Sequence, residues 1–474
     1  MKYDYDVAVI GAGSAGLVAA SGCARLGAKV LLVEKDRMGG ECLNSGCVPS
    51  KTFLKCARLA ASIRNSASFG LRAFIIDGDI GGVMNRVKSV IESAAPRDSR
   101  KRYEELGVRV VMGEGFLKSP HILLAAGREY RVKKVVIATG SQPLVPKIAG
   151  LDKVTFYTNE NIFDIADLPK HLIVLGAGPA GVELGQGFRQ VGSGVTLVDM
   201  APRLFMKDEP EAAALMEKRF KAEGIKLALS SKITGVSSRP GEIIVTAERN
   251  GRREEITGSH LLAALGRVPS SANLGLENAG IAFDKRGYIT VDETMRTSAK
   301  NIYACGDVTG PYLFTHMASY QAEIIVRNIF LPFKAKVDYS AVPWVTYTLP
   351  EVAHAGYTES EAAAKKLFGE SVLVDLKETD RALTEGEEEG FLKLILDKRN
   401  RVIGVTVVSA KAGEMIAPAL LAVKKRLKAT EFRSLIFPYP TESEIYKFAA
   451  SVILSRRLTP AIKKLLGFLL KLSR

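Results

Sequence analysis

The sequence predicts an α/β fold built on two copies of one dinucleotide-binding unit, and three observations carry that prediction. Two apolar strands each run into a glycine-rich turn, Gly11-Ala12-Gly13-Ser14-Ala15-Gly16 and Gly176-Ala177-Gly178-Pro179-Ala180-Gly181, and each turn opens a helix. A second strand then closes on an acidic residue, Glu34 in the first copy and Asp199 in the second. The spacing from first glycine to acid is 23 positions in both, 11 to 34 and 176 to 199. Gly27 and Gly192 also align without a gap. One glycine-rich turn is weak evidence, but the same unit twice in register is not explained by chance.

Each element has a physical reason. Glycines at the turn let backbone N–H groups approach a pyrophosphate at a helix N-terminus, and the carboxylate ending the second strand accepts hydrogen bonds from ribose hydroxyls. Two Rossmann-like units therefore imply two dinucleotides, one over Gly11, Gly13, Gly16 and Glu34, the other over Gly176, Gly178, Gly181 and Asp199.

Beside the first unit lies Gly39-Gly40-Glu41-Cys42-Leu43-Asn44-Ser45-Gly46-Cys47-Val48-Pro49-Ser50-Lys51. Two cysteines five positions apart reach disulfide distance if the first turn of one helix is distorted around them, which Gly46 and Pro49 permit. With five cysteines in 474 residues, a close pair among glycines reads as redox-active rather than as structural thiols. Lys51 stands about one helical turn beyond Cys47, so Cys47 is the predicted thiolate.

The chain as a whole sets wider bounds. Its length predicts two to four domains, and 47% hydrophobic with 25% charged residues is a globular composition. No basic leader and hydrophobic segment precede the strand Tyr5-Asp6-Val7-Ala8-Val9-Ile10, so a cytoplasmic address is expected. A net charge of +15 raises nucleic acid as a partner, but no nucleic-acid module or zinc spacing accompanies it. Neither nucleic acid nor a metal site is predicted.

These motifs together resemble the two-dinucleotide-binding-domain flavoprotein disulfide reductases, the family of dihydrolipoyl dehydrogenase, glutathione reductase and mercuric reductase, from about residue 4 to about residue 450. The resemblance implies FAD on the first unit, NAD(P)H on the second and a C-terminal α+β domain that makes a homodimer. It divides the chain into an FAD-binding part at 1–150, an NAD(P)H-binding part at 151–270, a second FAD-binding part at 271–340, a dimerisation domain at 341–453 and a basic amphipathic helix at 454–474. Thr139 and Gly140 in Ala138-Thr139-Gly140 resemble the close of the first FAD part. Gly266 in Leu265-Gly266-Arg267-Val268-Pro269 resembles the crossing back from the nucleotide domain, and Asp307 in Asn301-Ile302-Tyr303-Ala304-Cys305-Gly306-Asp307 resembles the aspartate of the second FAD motif. By the same resemblance Cys47 faces the flavin, Cys42 exchanges with substrate, and Lys51 tunes the flavin while pairing with Glu183. Cys23, Cys56 and Cys305 read as inert, and His316 and His354 as structural. Asp199 favours NADH, with NADPH kept as the alternative because of nearby Arg203.

The informative departure is Phe437-Pro438-Tyr439-Pro440-Thr441-Glu442-Ser443-Glu444. Dihydrolipoyl dehydrogenases and glutathione reductases place histidine where Tyr439 stands, oriented by a glutamate here represented by Glu444. Tyrosine titrates near 10 against about 6.5 for histidine, so its basic form at neutral pH is about a thousandth of the population, about 4 kcal/mol from readiness. Mercuric reductases carry tyrosine there, yet their C-terminal vicinal cysteines have no counterpart in the final Leu472-Ser473-Arg474.

A stretch from Thr459 and Pro460 to Leu472 sets leucines on one helical face and Lys463, Lys464, Lys471 and Arg474 on the other. It is too short to span a bilayer, so it either docks on protein or lies on a membrane surface, with Arg456 and Arg457 reinforcing it. The leading expectation is an FAD enzyme passing electrons from NAD(P)H through Cys42-Cys47 to a thiol, disulfide or metal-thiolate acceptor. Dihydrolipoyl dehydrogenase is the second, and a membrane-associated flavoprotein without disulfide turnover the third.

Overall fold

The computed structural model describes residues 2–72 and 79–473. They form two compact units, one of residues 1–200 and 230–338, the other of 201–229 and 339–474. This partition joins both predicted nucleotide-binding parts in one body and moves 201–229 out of the predicted 151–270 segment.

In the first unit, β1 (Tyr5–Ile10) runs into α1 (Ser14–Arg25) and returns as β2 (Val30–Glu34), parallel to β1 with Val7 opposite Val30 and Ile10 opposite Val33. The strand Arg128–Ile137 lies parallel on the other side of β1, and Ile302–Ala304 joins it, parallel, from far along the chain. Side chains alternate across the sheet, so Val7 and Val9 enter one core while Ala8 and Ile10 enter another. A sheet covered on both faces is why these strands read as unbroken apolar runs.

The second nucleotide-binding motif repeats the plan. His171–Leu175 pairs in parallel with Gly194–Val198 and with His260–Ala263, and the helix Pro179–Val191 connects the first two. Ser141–Pro143 and Arg267–Pro269 form a two-stranded antiparallel ladder, with Ser141 opposite Pro269 and Pro143 opposite Arg267. Gly140 and Gly266 stand at the entrances to those two strands.

The second unit holds a five-stranded antiparallel sheet in the order 343–346, 351–356, 402–409, 391–397, 368–375. The helix Ile445–Arg457 buries Ile445, Tyr446, Ala449, Ala450 and Ile453 against it. His354 is fully buried, its Nδ1 2.8 Å from Thr406 Oγ1 and its Nε2 3.1 Å from the Gly356 carbonyl, and burial pushes its pKa down to about 4. A neutral ring with both nitrogens engaged is a structural histidine.

One polar cluster ties segment 201–229 to this sheet. Lys393 Nζ, on a side chain only 5% exposed, reaches Glu209 at 2.8 Å, Glu211 at 2.7 Å and Glu359 at 2.8 Å. Glu209 is itself 2% exposed, so removing the ammonium strands a buried carboxylate. Lys393→Met is expected to lower stability by about 3 kcal/mol. The midpoint of denaturant unfolding, followed by fluorescence of Trp344 in the same unit, measures it, and adding Glu209→Gln is expected to recover part of the loss.

Candidate active site

The two cysteines occupy successive helices, not one distorted turn. Cys42 lies in α2 (Gly40–Asn44) and Cys47 opens α3 (Cys47–Arg64), with Ser45 and Gly46 breaking the chain between them. Asn44 Nδ2 holds the first helix by donating to the carbonyls of Gly40 at 2.8 Å and Met38 at 3.1 Å. A Cβ at Gly46 would sit 3.0 Å from the Glu41 carbonyl, so the break leaves little room for a side chain there. Cys47 thereby lies among the unpaired amides of a helix start, where a thiolate is favoured.

Both thiols are free, Cys42 half-buried and Cys47 exposed. Their protons divide unequally. The hydrogen bond between the two sulfurs, with burial, holds Cys42 protonated well above the ordinary thiol range. The same bond is the largest influence drawing Cys47 down to about 6; Thr315 and the charge of Lys51 add to it and outweigh burial. Thr315 Oγ1 lies 3.2 Å from Cys47 Sγ. The charge of Lys51 thus favours the Cys47 thiolate, behind two hydrogen bonds.

Lys51 is set by helix packing. Phe53 is buried with its ring 4.8 Å from that of Phe188, and a Cβ at Gly187 would fall 2.6 Å from the Phe53 ring. This close crossing of α3 with the helix Pro179–Val191 brings Lys51 Nζ within 2.7 Å of Glu183 Oε2. Glu183 is 7% exposed and Lys51 38%, so the lysine is anchored at a buried acid while its stem remains accessible. Cys23 and Cys305 are buried, with thiols pushed up to about 12 by burial, and take no part.

The two glycine turns share one geometry. A Cβ at Gly16 would meet the Gly11 carbonyl oxygen at 1.8 Å, and one at Gly181 would meet that of Gly176 at 2.0 Å. Glu34 accepts from the Ala12 amide at 2.6 Å, and Asp199 accepts from the Ala177 amide at the same distance. Both helices start at a glycine N-cap, Gly13 or Gly178, with no side chain capping the first amides. Those open donors suit a pyrophosphate. Gly40 packs on the first turn so closely that a Cβ there would be 2.7 Å from Gly13 Cα. Thr139 Oγ1 is buried among the described residues without a hydrogen-bond partner, the mark of a group built to meet a ligand. The residues present fit FAD at the first turn.

A network that sequence reasoning missed links the cysteine segment to this cradle. Glu41 Oε1 accepts from Arg267 Nη1 at 2.7 Å and from Asn159 Nδ2 at 2.6 Å, and Arg267 Nη2 closes the bidentate pair on Oε2. Asn159 also donates to the Ser45 carbonyl at 3.3 Å. Arg267 Nε donates to Ser141 Oγ at 2.7 Å, and that hydroxyl donates to Asp307 Oδ2 at 2.5 Å. Burial raises the pKa of Asp307 against the pull of Ser141 and Arg267. The ladder of Ser141–Pro143 and Arg267–Pro269 makes this chain, 226 residues apart at its Glu41–Arg267 joint.

Tyr439 and Glu444 belong to the second unit. Tyr439 is 72% exposed, and its hydroxyl donates to Asp380 Oδ2 at 2.8 Å, which raises its pKa. Glu444 accepts from the Thr441 amide at 3.5 Å in a capping box. Arg203, in that unit too, donates to the carbonyls of Leu204, Phe205, Met206 and Asp208.

Because the Cys47 thiolate persists down to about 6, its alkylation by iodoacetamide in the reduced protein is expected to stay near its plateau at neutral pH and to fall about tenfold per unit below that value. Cys42→Ala, which removes the donor, is expected to move the midpoint upward. A wild-type midpoint near 9 overturns the assignment.

Comparison with known proteins agrees with this geometry. Residues 5–322 match the pyridine nucleotide-disulphide oxidoreductase family and residues 342–450 its dimerisation domain. The chain is 32% identical to a mercuric reductase of Bacillus cereus over 449 residues, 94% of this chain and 71% of that one. It is 32% identical over 455 residues to a dihydrolipoyl dehydrogenase of Geobacillus stearothermophilus, covering 95% and 96%. Among solved structures, the HOCl-induced flavoprotein disulfide reductase RclA from Escherichia coli superposes with a TM-score of 0.86 at 27% identity, over 95% of this chain and 100% of that one; it has also been solved as a Cu(II) complex. The chain belongs to the class I pyridine nucleotide-disulfide oxidoreductases, FAD-dependent enzymes with two Rossmann-like dinucleotide-binding regions and a C-terminal dimerisation domain.

Proposed function

We propose that this enzyme is mercuric reductase-like, taking electrons from NADH and delivering them through Cys42 and Cys47 to a metal-thiolate or disulfide acceptor. The observation that carries this reading is the Tyr439–Asp380 hydrogen bond. A phenol that donates to a carboxylate keeps its proton and cannot take one from a substrate dithiol at neutral pH. A soft metal ion bound through thiolates needs no such base, because the thiolates are already deprotonated. Relatives named as mercuric reductases and a related reductase solved with Cu(II) support the acceptor class.

FAD, held over Gly11, Gly13, Gly16, Gly40, Glu34, Thr139, Gly140 and Asp307, supplies the means of accepting a hydride from the nicotinamide and reducing a disulfide. The chain's own residues do the rest. Cys47, the more acidic thiol, stays as the inner thiolate beside Lys51 and Thr315. Cys42 holds its proton until the acceptor arrives and, as its sulfur bonds the metal or the disulfide sulfur, gives that proton to the thiolate it displaces. Glu183 fixes Lys51, and the Glu41–Arg267 pair fixes the segment carrying Cys42. Asp199 on the second turn favours a free 2′-hydroxyl, and the self-contained bonding of Arg203 fits NADH better than NADPH.

In this reading residues 1–150 and 271–340 serve FAD, 151–270 with Gly176, Gly178, Gly181 and Gly266 serve the nicotinamide cofactor, and 341–453 joins two chains. Tyr439 and Glu444 then line the acceptor site of the homodimer. The address is cytoplasmic, with peripheral membrane contact through the helix after residue 459. Dihydrolipoyl dehydrogenase remains the second reading, favoured by coverage of 96% of that relative's length.

The test is anaerobic oxidation of NADH and NADPH with Hg(II)-thiol complexes, lipoamide and low-molecular-weight disulfides as acceptors. NADH with the metal complex is expected to give the highest kcat/KM, and Cys42→Ser to lower it at least about 100-fold while dye reduction persists. Tyr439→His is expected to raise lipoamide turnover at least about tenfold. Wild-type lipoamide turnover that exceeds metal turnover and survives Tyr439→Phe selects the second reading.

A further inference from the structure

We infer that the helix Pro460–Leu472 docks on an anionic phospholipid surface, lying flat with its leucine face toward the acyl chains. This names the surface for the peripheral contact just proposed, rests on that contact, and does not depend on the redox acceptor.

The helix is a separate element with its own start. Ile445–Arg457 ends at Leu458, Thr459 Oγ1 then accepts from the Ile462 amide at 3.3 Å, and Pro460 takes the first turn. At 100° per residue, Ala461, Ile462, Leu465, Leu466, Phe468, Leu469, Leu470 and Leu472 fill an arc of about 200°. Lys463, Lys464 and Lys471 share the remaining side with Gly467. None of this apolar face is covered by the described chain: Leu465 is 57% exposed, Phe468 58% and Leu470 60%. The preceding helix, by contrast, has five fully buried side chains, so the exposed helix extends from a rigid support.

Charge decides the occupant. From Ile445 onward the sequence contains no Asp or Glu, while Lys447, Arg456, Arg457, Lys463, Lys464, Lys471 and Arg474 are cationic. Arg474 lies outside the described residues. Arg456 pairs with Glu370 at 3.2 Å and so adds less to this field than its sequence position suggests. A second copy of the chain carries +15 and on average repels the basic side, whereas anionic headgroups attract it as the leucines enter the acyl boundary. Spanning is ruled out by length: 13 residues rise about 20 Å against a hydrocarbon core of about 30 Å. Among the described residues no helix is long and apolar enough to cross a membrane.

The experiment is co-sedimentation of the full-length holoenzyme with phosphatidylcholine vesicles, with or without about 30% phosphatidylglycerol. Binding to the anionic vesicles is expected to exceed binding to neutral ones at least about tenfold and to fall in about 0.5 M salt. Leu465→Glu/Leu469→Glu, at exposed positions, is expected to abolish it with NADH-dye turnover unchanged. Equal binding to both vesicles overturns the anionic inference while sparing peripheral contact, and no binding to either overturns both. Undiminished binding by the variant, or a smaller oligomer by sedimentation velocity for the variant than for wild type, overturns the role given to this helix. None of these outcomes bears on the acceptor, which the NADH oxidation assay decides separately.

Discussion

The coupling of Cys42 to Cys47 sets two chemically identical groups apart, and Thr315 and Lys51 add to that asymmetry. One thiol is held protonated and the other becomes a thiolate near neutrality. Sequence proximity does not produce this, since two cysteines on one regular helix at that spacing would point to different sides. The break at Ser45 and Gly46 turns the second helix so that its first residue is Cys47. The crossing of that helix with Pro179–Val191 over Gly187 then fixes Lys51 and Glu183.

The same economy appears in the two glycine turns. In each, an acid at the end of the second strand accepts from the amide after the first glycine at 2.6 Å, and the last glycine approaches the carbonyl of the first. Each acid therefore stiffens its own turn, a reason for a carboxylate there that is independent of any ligand. Asp307, Ser141, Arg267 and Glu41 form one polar chain that ends on the cysteine segment. A bidentate arginine at its centre supplies direction as well as charge.

What was legible in the sequence follows from range. The glycine turns, the acids 23 positions on, the cysteine pair and the cap at Thr459 are set by local backbone geometry, and each was readable from adjacent residues. Lys51–Glu183 spans 132 positions and was reached only through family resemblance. Thr315 beside Cys47, Arg267 on Glu41 and Asp380 on Tyr439 were not reached, because packing sets those contacts and no spacing encodes them. The single distorted helix expected from the spacing is instead two helices, because the chain breaks at Ser45 and Gly46, where side-chain space beside the Glu41 carbonyl is tight.

The donor and acceptor sides of the chemistry are thus controlled by different kinds of structure. On the donor side, backbone amides and glycines set the geometry, and a side-chain change cannot easily move them. The acceptor side of the proposed mechanism rests on exposed side chains of the second unit, where tyrosine in place of histidine removes a base that titrates near neutrality. Asp380 deepens that change, since a phenol already donating to a carboxylate is harder to deprotonate than a free one. In the proposed reading the electron path from nicotinamide to thiolate is kept while the acceptor differs, which accords with similar identity to reductases and dehydrogenases alike.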